Sequence, residues 1–134
     1  MLGADVFFDT NVLLYLVSDD VAKANRAEQL VAQGGVISVQ VLNEFASVAV
    51  GKKGVDFTKL REILSSFRAV CVVTALDIET HELGLNIAER YRFSIYDSLI
   101  VAAALRAGCS MLYSEDFQHG QTIERLTIRN PFAE

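Results

Sequence analysis

Short apolar runs alternate with longer segments of helical periodicity, and this alternation constrains the fold more than any other feature of the chain. Mainly apolar runs at residues 4–8, 36–37 and 70–74 each precede a helical pattern. The one proline, Pro131, lies three residues from the end, so none interrupts the interior. Strands that alternate with helices build parallel sheets covered by helices. The sequence therefore predicts a three-layer α/β/α protein with a short, mainly parallel central sheet.

The apolar pattern also places the individual elements. We predict strands over 4–8, 36–37, 70–74, 111–113 and 126–128. We predict helices over 10–17, 20–33, 39–50, 58–67, 77–92 and 94–107. Thr10 or Asn11 is expected to cap the first helix and Ser38 the third. Helical spacing predicts that two apolar stripes face inward, Val21, Ala24, Ala27, Leu30 and Val31 in the second helix and Ile78, Leu83, Leu85, Ile87 and Ala88 in the fifth.

Length and composition indicate one globular domain over residues 1–134. The chain is 51% hydrophobic and its mean hydropathy is +0.30, which excludes intrinsic disorder. The longest apolar run, residues 99–105, is much shorter than the roughly 20 residues that a membrane span requires. Acids at Asp5 and Asp9 interrupt the N-terminal segment, so we expect no signal peptide and a cytoplasmic protein. Cys71 and Cys109 lie in apolar surroundings and are expected to be reduced core residues.

The charge is acidic overall but uneven. Seventeen acids against twelve bases give a net charge of -5, which disfavours general binding to nucleic acid backbones. Residues 51–68, by contrast, hold five bases against two acids. These bases are Lys52, Lys53, Lys59, Arg61 and Arg68. The segment is either a solvated helix face or a local contact surface for an anion.

Four acids occupy positions at element ends or on apolar helix faces. Asp9 ends the first strand, and Asp116 follows the strand at 111–113. Ligands gather beyond the carboxyl ends of strands in parallel sheets, so these two carboxylates are expected at one edge. Glu44 shares a helix face with apolar residues, and Asp97 lies in the first turn of a helix that is apolar all round.

Each acid also has a structural explanation of its own. Asp9 could simply cap the following helix, and Asp97 completes a Ser-x-x-Asp pattern close to a capping box. Glu44 could reach water at the edge of its stripe, and Asp116 could belong to an ordinary polar turn. The joint pattern carries more weight than any one residue, because four carboxylates come from four separate elements.

A cluster of such carboxylates would need a cation. Like charges in a half-buried site repel each other, so some groups must take up protons or bind a metal. Oxygen ligands favour Mg²⁺ or Mn²⁺ over zinc, which prefers His and Cys. Other chemistries find little support, since the chain has no HExxH, P-loop or GxSxG motif. The stretch at 7–11 also resembles aspartate-nucleophile phosphatases of the haloacid-dehalogenase type, but Asn11 stands where their second Asp is needed.

Four stretches, in order, resemble the motifs of PIN domains, and more narrowly of VapC-type toxins from bacterial and archaeal toxin–antitoxin pairs. They are VFFDTNVLLY at 6–15, SVQVLNEF at 38–45, YDSLIVAAAL at 96–105 and LYSEDFQHG at 112–120. The NPF at 130–132 resembles a common ending in that family. The resemblance covers essentially the whole chain, and it implies a PIN-like fold.

The resemblance further implies a metal-dependent endoribonuclease, the toxin of a type II toxin–antitoxin system. It implies that Asp9, Asp97 and Asp116 are the main ligands of Mg²⁺ or Mn²⁺, directly or through water. Glu44 would complete the pocket or orient a water. A metal-activated water would then hydrolyse an RNA phosphodiester bond and leave a 5′-phosphate.

Neighbouring polar residues receive supporting roles from the same resemblance. Thr10, Asn11 and Ser114 would hydrogen-bond the carboxylates, and Glu115 could assist or replace Asp116. The implied partners are the RNA substrate, a cognate antitoxin whose C-terminal segment crosses the active-site groove, and a second copy of the chain in a homodimer.

The basic segment supplies candidate contacts to the substrate. We infer that four bases contact the RNA backbone, namely Lys52, Lys53, Arg61 and Arg68.

Two other functions remain as alternatives to a ribonuclease. The main alternative is a non-catalytic PIN-like module that binds RNA or a peptide. A metal-dependent phosphomonoesterase is a third possibility.

Overall fold

The computed structural model describes residues 5–133, which form a six-stranded sheet and six α-helices. The strands are β1 (Val6–Phe8), β2 (Gly35–Ser38), β3 (Cys71–Thr74), β4 (Met111–Tyr113), β5 (Thr122–Ile123) and β6 (Leu126–Arg129). The helices are α1 (Thr10–Leu14), α2 (Val21–Ala32), α3 (Val39–Gly51), α4 (Phe57–Val70), α5 (Ile78–Tyr91) and α6 (Ile95–Arg106). A 3₁₀ turn, Tyr15–Val17, continues α1.

The sheet has the order β3-β2-β1-β4-β6-β5. All neighbouring strands are parallel except β5, which pairs antiparallel with β6. This confirms the predicted α/β class and the mainly parallel sheet. The short hairpin strand β5 was not predicted, because two residues are too few to show any periodicity.

Helices cover both faces of the sheet. Phe7 and Phe8 are neighbours in β1, so their side chains point to opposite faces, yet both are buried. All four residues of β2 are buried as well. Strands that are buried on both sides belong to a sheet between two helical layers, in agreement with the predicted architecture.

A polar side chain caps the start of every described α-helix. Each cap accepts a hydrogen bond from a backbone N–H in the first turn, which satisfies a donor that has no partner inside the helix. The caps are Asp9, Asp20, Ser38, Asp56, Asp77 and Ser94. Ser38 was predicted. For α1 the expectation of Thr10 or Asn11 was wrong, because both lie within the helix, and the alternative that Asp9 caps it is confirmed.

The predicted inward stripes are partly wrong. Val21 is 70% exposed and Ile78 is 72% exposed, because each is the first residue of its helix and lies beyond the core. Leu85 is also exposed, since α5 buries the face that carries Gly84 and Ile87. Periodicity locates an apolar stripe, but it does not show where the neighbouring layer ends.

The boundaries of some elements also differ from the prediction. The predicted first strand began at Ala4, which lies outside the described residues, and β1 is described from Val6. Helix α4 extends to Val70, which had been placed in the next strand.

No helix in residues 5–133 is both long enough and apolar enough to cross a membrane.

Candidate active site

The carboxyl-terminal edge of the sheet brings Asp9 and Asp116 to the same side. Strands β1 and β4 are parallel, and Phe8 pairs with Tyr113 at their ends. Asp9 follows Phe8 directly, and its backbone N–H donates to the carbonyl of Tyr113 at 3.0 Å. Asp116 follows β4 by three residues. The parallel register therefore places both acids at the edge where the sequence had predicted them.

Asp9 is the most buried acid of this edge, with 3% of its surface exposed. Its Oδ1 accepts from the backbone N–H of Thr10 at 2.7 Å, which is the cap of α1. Its Oδ2 accepts from the Ser114 hydroxyl at 2.6 Å and from the Asn11 amide at 3.4 Å. Asp9 thus caps a helix and also presents a carboxylate that is held from two elements.

The environment of Asp9 favours its protonated form. Its pKa is raised to about 7, chiefly by burial and also by the negative charges of Asp116 and Glu44, whereas the hydrogen bonds from Ser114 and Thr10 oppose the shift. A carboxyl group that titrates near neutral pH is typical of functional sites.

Glu44 reaches the same edge from α3. Its Oε1 accepts from the Thr10 hydroxyl at 2.6 Å, and its Oε2 accepts from the Gln40 amide at 3.3 Å. The side chain is half-buried. Glu44 is therefore held in place by α1 on one side and by its own helix on the other.

Asp97 contributes a carboxylate from the first turn of α6. Its backbone N–H donates to the Ser94 hydroxyl at 3.1 Å, so the capping interaction is present. Burial raises the pKa of Asp97, and the charges of Asp116 and then Glu44 raise it as well. Asp97 thus lies within electrostatic range of two other acids, which an isolated helix cap would not require.

Ser114 links the end of β4 to the acids. Its side chain is fully buried and donates to Asp9, while its oxygen accepts from the backbone N–H of Asp116 at 3.0 Å and from the Asn11 amide at 3.4 Å. Asp116 itself is exposed. One hydroxyl therefore fixes both the buried Asp9 and the backbone that carries Asp116.

The Glu115 side chain is directed toward Tyr15 and Lys23 and not toward the other acids. Its carboxylate accepts from the Tyr15 hydroxyl at 2.8 Å and pairs with Lys23 Nζ at 3.1 Å. Its backbone N–H donates to the Asn11 side-chain oxygen at 3.3 Å. The Glu115 carboxylate is thus engaged by α2 and the 3₁₀ turn. Asp116, and not Glu115, therefore joins Asp9, Glu44 and Asp97 in the group of carboxylates that we call the acid edge.

The predicted RNA-contacting bases divide into two groups. Lys52 and Lys53, in the exposed turn after α3, line a cavity that also contains Asn11 and Glu115. Arg61 and Arg68 lie on α4 and do not line this cavity; Arg61 is positioned over the ring of Phe57, 5.8 Å from its centroid. The structure brings the two lysines close to the acid edge and leaves the two arginines on another helix.

Sequence reasoning missed Gln40, which is buried between two parts of the site. Its amide nitrogen donates to Glu44 and to the backbone carbonyl of Tyr96 at 3.1 Å, next to Asp97. Its own oxygen, Oε1, has no hydrogen-bond partner among the described residues. A glutamine four residues before Glu44 on an apolar helix is a signal that could have identified it.

The carboxylates of this edge supply only oxygen donors, and they do not form a compact metal-ligand cluster among the described residues. Within residues 5–133, no three His, Cys, Asp or Glu side chains are close enough to form a complete ligand set. The pKa values of Asp9 and Asp97 nevertheless respond to the charges of Glu44 and Asp116. Mg²⁺ keeps several waters and binds one or two carboxylates directly, and it prefers oxygen ligands of the kind that these acids supply.

Solved structures with the same fold include bacterial toxins. VapC20 of Mycobacterium tuberculosis, described as a Sarcin-Ricin loop cleaving toxin, is 19% identical, with a TM-score of 0.67 over 83% of this chain and 89% of that chain. A toxin–antitoxin complex from Klebsiella pneumoniae is 21% identical, with a TM-score of 0.71 over 95% and 98% of the two chains. VapBC2 from Rickettsia felis, bound to a promoter DNA fragment, is 19% identical, with a TM-score of 0.65 over 92% and 96%.

Comparison of the amino-acid sequence with family models identifies the family of this chain. A comparison with curated proteins finds no match. The family model for the PIN domain, however, matches residues 6–122, a segment that contains all six helices and the four acids of the sheet edge. This chain belongs to the PIN domain family.

Proposed function

We propose that this protein is an Mg²⁺- or Mn²⁺-dependent endoribonuclease and the toxin of a type II toxin–antitoxin pair. The observation that carries the proposal is the acid edge: four carboxylates from separate elements, with Asp9 buried and its pKa raised to about 7. Membership of the PIN family and the structural likeness to VapC20 support the same class of activity.

The residues of the acid edge would have different roles in binding the cation. Asp9, Asp97 and Asp116 would hold the cation directly or through water, and Glu44 would complete the pocket or orient a water. Ser114, Thr10 and Asn11 hold these carboxylates by hydrogen bonds. A bound divalent cation would make a water more acidic and offset the negative charge that develops on the phosphate.

Cleavage of RNA in the presence of Mg²⁺ or Mn²⁺ tests this proposal. We expect Asp9→Asn and Asp97→Asn to lose activity by about 100-fold or more, the scale of losing one electrostatic contact to a transition state. Glu89→Gln, which removes an exposed acid of α5, is the matched control and should cleave like the wild type. Circular dichroism should show that all three variants are folded.

The same assay separates the alternatives. If the wild type cleaves no RNA with either cation and Mn²⁺ does not raise its melting temperature, the nuclease proposal is wrong and a non-catalytic RNA- or peptide-binding module is the better description. Turnover of small phosphate esters without cleavage of RNA would instead indicate a phosphomonoesterase.

We propose a cognate antitoxin as the protein partner. Two of the structural neighbours are toxin–antitoxin assemblies, which supports this choice. Expression of this chain alone should arrest growth. If a short reading frame lies beside its gene, co-expression of that frame should restore growth. Growth arrest that persists in the Asp9→Asn variant would contradict a nuclease origin of the toxicity.

We also propose that the chain forms a homodimer through the starts of α3 and α6. Val39, Ile95 and Tyr96 are exposed there, Tyr96 by 67%, and Gln40 joins the two helix starts. In size-exclusion chromatography with light scattering, Tyr96→Glu should shift a dimer to a monomer. Val72→Glu, at an exposed valine of the edge strand β3, is the control and should remain a dimer; the reverse result would place the interface at β3.

A further inference from the structure

The side-chain amide of Gln40 joins the two helices that carry Glu44 and Asp97. Gln40 is 5% exposed, and its nitrogen donates to Glu44 Oε2 at 3.3 Å and to the Tyr96 carbonyl at 3.1 Å. A carbonyl and an ionised carboxylate can only accept, so the NH₂ group and not the oxygen of the amide must face them. The two partners therefore fix the orientation of this amide.

This orientation leaves a buried oxygen without a partner. Within residues 5–133, Gln40 Oε1 has no hydrogen-bond partner, and the same holds for the hydroxyl of Ser98, two residues after Tyr96 on α6. Buried polar atoms without partners are rare and lower stability. An apolar side chain of similar size at position 40 would avoid this loss, so stability alone does not explain the amide.

The two hydrogen bonds of Gln40 act on two carboxylates of the acid edge. The Thr10 hydroxyl holds one oxygen of Glu44 and Gln40 holds the other. The Tyr96 carbonyl belongs to the peptide group that leads into Asp97, and within an α-helix a carbonyl already has a donor four residues on. The bond from Gln40 is thus not required by α6, and its effect is to tie the backbone before Asp97 to Glu44.

We propose that Gln40 is a positioning residue of the acid edge, which sets the separation of the Glu44 and Asp97 carboxylates before a cation binds. The inference rests on the proposed nuclease function and adds a residue that acts through these carboxylates. Hydrogen-bonded neighbours orient the groups that bind a metal ion, and losing one typically lowers metal affinity or activity by about 10–100-fold. The unpartnered oxygen follows from directing both N–H groups of the amide at the site.

Gln40→Met separates positioning from stability. Methionine has a similar length and helix propensity, but it lacks both the N–H donors and the unpartnered oxygen. We expect this variant to melt in chelator at or above the wild-type temperature, because the half-buried Glu44 can bind water instead. Its dissociation constant for Mn²⁺, measured from the electron paramagnetic resonance signal of the free ion, should rise about tenfold or more.

Two substitutions are matched controls. Ser98→Ala removes the other unpartnered buried oxygen but no hydrogen bond to the acid edge, and it should keep the wild-type affinity for Mn²⁺. Gln33→Met makes the same exchange at an exposed glutamine that ends α2, and it should also bind Mn²⁺ like the wild type.

The kinetics of RNA cleavage give a second signature. Gln40 is buried, so its loss should leave the binding of RNA unchanged. We expect Gln40→Met to lower kcat by about tenfold with an unchanged KM, the pattern of an interaction that matters only in the transition state.

A measurement on the wild type does not depend on the folding of any variant. In proton–nitrogen NMR spectra, the Gln40 NH₂ protons should exchange slowly with solvent both in chelator and with Mg²⁺, because the amide is held before the cation binds. Exchange that is fast in chelator and becomes slow with Mg²⁺ would show that the cation organises the amide, which overturns the proposal.

The outcomes distinguish this inference from the proposed function. If Gln40→Met binds Mn²⁺ and cleaves RNA like the wild type, the positioning role is wrong while the nuclease proposal stands. A Gln40→Met protein that melts several degrees lower in chelator shows a structural role and also overturns the inference. A wild type that binds Mn²⁺ about tenfold more tightly than Gln40→Met but cleaves no RNA supports the positioning role and overturns the nuclease proposal.

Discussion

At the scale of single residues, Asp9 shows why a helix cap and a site carboxylate need not be alternatives. One oxygen caps α1 through Thr10, while the other accepts from Ser114 and Asn11. Capping uses one oxygen of a carboxylate and leaves the other free for other contacts. The two explanations that the sequence left open are therefore compatible, and the cap itself positions the second oxygen.

Removing the charge of Asp97 should stabilise the metal-free protein. Because the folded state raises the pKa of Asp97, its ionised form costs stability above that pKa, and the cost fades as the pH falls through it. We expect Asp97→Asn to melt up to a few degrees higher than the wild type in chelator at pH 7.5, with the difference disappearing near pH 4. Differential scanning calorimetry at the two pH values measures this.

Asp77 provides a control of opposite sign. It caps α5, and the hydrogen bonds from the Thr80 side chain and backbone lower its pKa. A lowered pKa contributes stability that is present at neutral pH and lost as the pH falls through the folded value. Asp77→Asn should therefore lower the melting temperature at pH 7.5. Equal effects of the two substitutions would show that capping, and not repulsion between carboxylates, decides the result at Asp97.

At the scale of elements, the pair α5 and α6 depends on a close approach at Gly84. A Cβ atom at this position would lie 2.6 Å from Leu99 Cδ2 and 3.3 Å from its Cγ. Leu99 is itself buried in the first half of α6, two residues after Asp97. The packing of these helices thus adjoins the segment that holds one of the site carboxylates.

Gly84→Ala should destabilise the protein even though alanine favours a helix. The gain in helix propensity is about 1 kcal/mol, whereas forcing extra volume into a packed interface costs about 1–3 kcal/mol. Gly51→Ala is the matched control, because a Cβ at Gly51 meets nothing within 4 Å. Chemical denaturation should show a lower midpoint for Gly84→Ala only; a higher midpoint would mean that Leu99 can move aside.

At the scale of the whole molecule, the two cysteines report on global unfolding. Cys71 and Cys109 are buried thiols, and burial raises the pKa of each to about 11. Since the thiolate is the reactive form, both should react with a thiol reagent only as fast as the protein opens. Their rates in increasing denaturant should converge on one value. A fast reaction of either thiol under native conditions would reveal local opening.

Much of the fold was accessible from local sequence patterns. The periods of the apolar residues predicted the α/β class, and Ser38, Asp77 and Ser94 begin their helices at or beside the predicted positions. The exposure of Val21 and Ile78 was not predictable, because it depends on how far a helix extends beyond the layer it packs against.

The sequence by itself determined the order of the helices and of every strand except β5, and the position of each acid on its element, because strand and helix periods and N-caps are local properties of the chain. The tertiary structure alone decided which side chains meet. Ser114 binds Asp9 across 105 residues, Glu115 pairs with Lys23 instead of joining the edge, and Lys52 lines a cavity with Asn11. Burial and the electrostatic fields of neighbouring charges arise only when distant segments pack together. They raise the pKa of Asp9 and of Asp97.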